Sequence, residues 1–131
     1  MQLFGTVYAH CDIPCGVYET DTMRHAARTC KVMVEKALAL GDATDIEHHN
    51  NFVRMVMVKE KHAERVKREL AVLWGDYFKP EHLEICPELH DKVWQTLKQA
   101  SKVKQSCSIE EADKLQAMVD EIATIFDRTR Q

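Results

Sequence analysis

Residues 52–74, FVRMVMVKEKHAERVKRELAVLW, read as one long amphipathic helix. Phe52, Val56, Ala63, Val66, Leu70, Leu73 and Trp74 recur at near-heptad spacing and form a sustained apolar stripe. Lys59, Glu60, Lys61, Glu64, Arg65, Lys67, Arg68 and Glu69 are assigned to the other face, where a charge run is expected to be solvated helix surface. A helix with one apolar stripe must bury it against neighbours, so the flanking sequence should supply partner helices.

It does, on both sides. Upstream, Met23, Ala27, Cys30, Val34, Ala37 and Leu38 follow helical spacing within a segment from Asp21 to Leu40, and Gly41 ends it as a C-terminal cap. A polar turn, Asp42 to Asp45, joins this segment to the long helix. Downstream, Gly75 to Pro87 is an aromatic-rich corner holding Tyr77 and Phe78. Pro87 suits the first turn of a third helix with the stripe Leu89, Val93, Leu97 and Ala100. Ser108-Ile109-Glu110-Glu111 has the capping-box pattern and opens a fourth helix, with Ala112, Leu115, Val119, Ile122 and Phe126 on one face. No segment alternates with period two over a useful length. The expected fold is therefore all-α, an antiparallel up-down four-helix bundle over residues 19–131, a single domain.

The chain has 131 residues, 45% of them apolar and 30% charged, which fits one soluble globular domain. A net charge of −3 carries no basic footprint, so nucleic acid is not expected as a partner. No run of 18 apolar residues occurs, so no membrane span is expected. Five cysteines, Cys11, Cys15, Cys30, Cys86 and Cys107, are an odd number, and the last three are scattered through helical sequence. That argues against a disulfide framework and for a reducing, cytoplasmic setting.

Ahead of the helices stands His10-Cys11-Asp12-Ile13-Pro14-Cys15-Gly16-Val17-Tyr18, too short and irregular for a helix or strand. Two thiols four residues apart, with a proline between them and an imidazole just before, can converge on one metal ion. Such soft donors with nitrogen suit zinc, copper, nickel or iron–sulfur chemistry. A structural zinc site wants four side-chain ligands, and this stretch offers three. Backbone nitrogen would complete the set, which favours a square-planar ion such as nickel(II) or copper(II).

The full string H-C-D-x-P-C-G-V-Y resembles the nickel hook of the nickel superoxide dismutase family. Leu73-Trp74-Gly75-Asp76-Tyr77-Phe78-Lys79-Pro80 resembles that family's second signature, and Pro87-Glu88-Leu89-His90 and Ile125-Phe126 also fit. The resemblance implies an enzyme that disproportionates superoxide to dioxygen and hydrogen peroxide by cycling a nickel ion between +2 and +3. It implies the thiolates of Cys11 and Cys15, the amide nitrogen of Cys11, and the amine and axial imidazole of His10 as metal ligands. Tyr18 and Tyr77 match tyrosines lining the approach of the small anion. Asp12 is expected to order the hook around the metal, and Pro14 to set its turn. The family also implies a homohexamer.

Three departures accompany the match. A glutamate and an arginine that tune the axial histidine in the best-known members are replaced by Ala26 and His62, and a tryptophan near the end by Asp127. Residues 1–9 form a short leader, expected to be removed by a processing protease. While Ala9 stays bonded to His10 the His10 nitrogen is an amide rather than an amine, so cleavage after Ala9 is expected to be required for activity. The alternatives are a non-catalytic nickel-binding or structural homologue whose hook the leader blocks, and a small helical protein with a regulatory Cys11–Cys15 disulfide. Of the other histidines, His48 and His49 read as surface or interface residues, and His82 and His90 as structural hydrogen-bonders.

Overall fold

The computed structural model describes residues 16–42 and 44–131. Within them lie four α-helices: α1, Asp21–Ala39; α2, Ile46–Val72; α3, Leu89–Gln105; and α4, Ile109–Thr129. No strand occurs among the described residues. The leader, and His10, Cys11, Asp12, Pro14 and Cys15 of the hook, lie outside them.

Local chemistry sets the helix ends. Leu40 caps α1, and Gly41 follows at φ 63°, a left-handed conformation that only glycine adopts cheaply. The Asp45 carboxylate accepts from the His48 amide at 2.9 Å and opens α2. That bond, with the His48 ring beside it, holds the Asp45 carboxyl below its usual range. Ser108 opens α4 by accepting from the Glu111 amide at 3.2 Å. The expected capping box is only half made, because the Glu111 carboxylate turns away to accept from Gln99 at 2.6 Å.

Cross-helix pairs show the directions of the helices. Along α1, Arg24 meets Asp120 of α4 and Lys31 meets Asp113, so these helices run antiparallel. Between α3 and α4, Lys92 meets Glu121 and Gln99 meets Glu111. Between α2 and α3, Trp74 near one end meets His90 and Glu64 meets Lys104. Each helix packs on its sequence neighbours, and α1 closes the bundle against α4.

These ion pairs are largely exposed and contribute little to stability. Met23, Cys30, Val66, Leu70, Leu89, Val93, Leu115 and Ile122 are at most 1% exposed and form the shared core. Burying one such Leu or Val stabilises by about 1.5–3 kcal/mol, so the core dominates.

Four sequence expectations change. Leu38, Phe52 and Trp74 are 50%, 44% and 38% exposed rather than core. The α-helical part of α2 stops at Val72 and widens into a π-turn, Leu73–Tyr77, closed by the Phe78 amide on the Leu73 carbonyl at 2.9 Å. α3 starts at Leu89 rather than Pro87, whose turn is closed by the Leu89 amide on the Cys86 carbonyl. Lys59, expected in the solvated face, is 3% exposed. Its ammonium donates to the carbonyls of Val103, Lys104 and Ser106 at 2.7, 2.7 and 2.6 Å, capping the end of α3.

Candidate functional site

Tyr18 and Tyr77, singled out from motifs far apart in sequence, meet at one end of the bundle. Their ring centroids are 5.3 Å apart, tilted at 52°. Tyr77 owes its position to the π-turn, whose extra residue per turn swings the corner outward; such turns recur at functional sites. Phe126 at 4.7 Å, Phe78 at 5.4 Å and a stacked His82 at 5.6 Å hold the Tyr77 ring. His82 is itself set by the Lys79 amide, which donates to its Nδ1 at 3.1 Å. The Tyr18 backbone is tied to α4, its carbonyl accepting from Arg130 at 3.2 Å.

Both tyrosines line an open depression of about 220 Å³, together with Gly16, Asp76, Lys79 and Arg130. Two cations against one carboxylate bias it toward a small anion. Of the hook's described residues, Gly16 and Tyr18 line this depression. Lys79 was visible in the second signature but carried no role there. Arg130 and Thr129, which bonds the Tyr77 hydroxyl at 2.6 Å, had no sequence signal, because only the fold brings the end of α4 beside this corner.

The other residues of interest are structural. Ala26 is fully buried and offers no polar atom. His62 is half-buried; its Nδ1 is 2.8 Å from the Val58 carbonyl and its ring 6.5 Å from that of His25. His90 accepts from the Trp74 indole at 2.9 Å, and His82 accepts from the Lys79 amide, as structural hydrogen-bonders should. Cys30, Cys86 and Cys107 are free thiols, and Cys30 and Cys86 are buried. A larger groove of about 290 Å³ on α2 is lined only by Lys61, Glu64, Arg65, Arg68 and Glu69, a solvated surface without an aromatic wall. Among the described residues no group of three His, Cys, Asp or Glu side chains is placed to hold a metal.

Fold and site together define a class: a four-helix-bundle protein with a phenol-lined, cation-flanked depression at one end, preceded in sequence by a short donor-rich segment. The family model for nickel-containing superoxide dismutases matches residues 5–130. The chain is 40% identical over 126 residues to the nickel superoxide dismutase of Streptomyces coelicolor, covering 96% of this chain and 92% of that one. It is 39% identical over 125 residues to that of Streptomyces seoulensis, covering 95% and 91%. A native nickel superoxide dismutase structure superposes with a TM-score of 0.82 at 38% identity, covering 93% of this chain and 100% of that one. An apo structure gives 0.78 at 36% identity, covering 88% and 98%. The chain belongs to the nickel-containing superoxide dismutase family. It is an oxidoreductase that uses nickel to disproportionate superoxide, and the non-catalytic alternative is not favoured.

Proposed function

We propose that superoxide is disproportionated at a nickel ion held by His10, Cys11 and Cys15, approached past Tyr18 and Tyr77. The donor set fits the metal. Two thiolates, an amidate and an amine would make an anionic nitrogen and sulfur donor set that suits nickel(II) and its oxidised state. Nickel held by these residues would supply a one-electron couple between +2 and +3.

The chain's own residues do the rest. Lys79 and Arg130 draw the anion toward the depression, and the two phenols narrow its approach. Asp12 and Pro14 order the loop that carries the thiolates. Two protons are consumed as two superoxide anions become one dioxygen and one hydrogen peroxide. The observation that carries this reading is the 5.3 Å approach of Tyr18 to Tyr77 where the hook joins the bundle.

Processing, assembly and location belong to the same proposal. A protease removes residues 1–9, freeing the His10 amine, which must be neutral to bind metal. The trimmed chains assemble as homohexamers in the cytoplasm. Exposed apolar side chains on the first half of α2, Ile46, Phe52, Val53 and Met57, support self-association.

Chains beginning at Met1 and at His10 should be loaded with nickel and compared for bound metal, the nickel(III) paramagnetic signal and dismutase rate. The trimmed chain should show all three, and replacing Cys11 or Cys15 by Ser should remove them. Full activity in protein whose intact mass retains residues 1–9 would overturn the requirement for cleavage.

A further inference from the structure

The hydroxyl of Tyr77 has a defined partner. Its oxygen lies 2.6 Å from Thr129 Oγ1, which lies 2.6 Å from the Phe126 carbonyl oxygen. A carbonyl can only accept, so the single hydroxyl proton of Thr129 goes to Phe126. Thr129 then has only lone pairs left for Tyr77, and the Tyr77 phenol must be the donor. The chain of donation runs from Tyr77 to Thr129 to the backbone of α4. The next residue, Arg130, donates to the Tyr18 carbonyl and lies over the Phe126 ring at 5.3 Å. The last turn of α4 thus grips both tyrosines, one by its hydroxyl and the other by its backbone.

We propose that Thr129 is a positioning residue that commits the only proton of the Tyr77 phenol to the last turn of α4. The inference rests on the reading that Tyr77 lines the superoxide approach. While the chain of donation is intact, an unprotonated anion in the depression gains no hydrogen bond from Tyr77. The phenol oxygen presents lone pairs, which suit water or a protonated product and give superoxide no anchor. Thr129 therefore keeps the approach from trapping its own substrate or other small anions. Without the Thr129 oxygen the phenol proton is released, and Tyr77 becomes an anion donor.

The test uses azide, a small monoanion, as inhibitor of the nickel-loaded chain beginning at His10. Thr129→Val should tighten azide inhibition about tenfold, the scale of one added hydrogen bond to a charged group. Thr129→Ser, which keeps the hydroxyl, should behave as wild type. In a Tyr77→Phe background, Thr129→Val should change nothing further. A readout independent of activity is the Tyr77 hydroxyl proton in the NMR spectrum of the metal-free protein. It should be protected from exchange in wild type and Thr129→Ser, and lost in Thr129→Val. The inference fails if Thr129→Val leaves azide inhibition unchanged, or alters it equally with and without the Tyr77 phenol. If Tyr77→Phe alone changes neither rate nor azide inhibition, the reading of Tyr77 as part of the approach fails instead.

Discussion

The Cys30 thiol is fully buried between α1 and α2, and its sulfur lies 3.6 Å from the Lys59 carbonyl oxygen. Burial disfavours the thiolate and outweighs the opposing charge of Lys59, pushing the thiol up from 9.0 to about 11. The folded chain therefore holds this proton where the unfolded chain has lost it. The stabilisation is complete below pH 9 and disappears as pH rises toward 11, a loss of order 2 kcal/mol. Urea midpoints of wild type and Cys30→Ala should converge over that interval; a constant gap would show that burial does not govern the thiol. Residue identity alone gave the small, apolar character of Cys30. Its resistance to ionisation comes from the helices around it.

At the scale of the element, α2 shows where a pattern outranks composition. Phe52, Val56, Lys59, Ala63, Val66, Leu70 and Leu73 stand four and three residues apart in alternation, so Lys59 occupies a core position of the stripe. Assigning it by charge put it in solvent; its place in the repeat puts it inside. Burial is tolerable because three carbonyls at the end of α3, which have no partner within the helix, accept from its ammonium. Lys59→Met should leave those carbonyls without this donor and lower stability by about 3 kcal/mol, read from urea unfolding. A loss below about 1 kcal/mol would mean that water replaces the ammonium at little cost.

For the whole molecule, the cap at Lys59 marks the level at which α3 ends. α2 continues past it toward Ile46, beyond the end of α3 but with α1 still alongside. Phe52, Val53 and Met57 in this part of α2 are 44%, 53% and 64% exposed. If a second copy covers them, a Val53→Glu, Met57→Glu variant should be smaller by light scattering while keeping its helical circular dichroism. Unchanged mass would place the association elsewhere. The half of the bundle carrying the tyrosines is expected to fold in either case, because its core lies beyond the affected segment.

The sequence by itself determined four helices, their order and most of their buried faces, because helical periodicity and end caps are local properties. It also shows which residues of the hook carry donor groups, His10, Cys11 and Cys15, since those are a matter of residue type and close spacing. Tertiary structure alone decided that Tyr18, Tyr77, Lys79, Thr129 and Arg130 share one end of the bundle. It likewise decided that Phe52, in the same stripe as the buried Lys59, lies at the surface. The physical reason is the same in each case: these outcomes depend on where a neighbouring helix begins or stops, which no local pattern encodes.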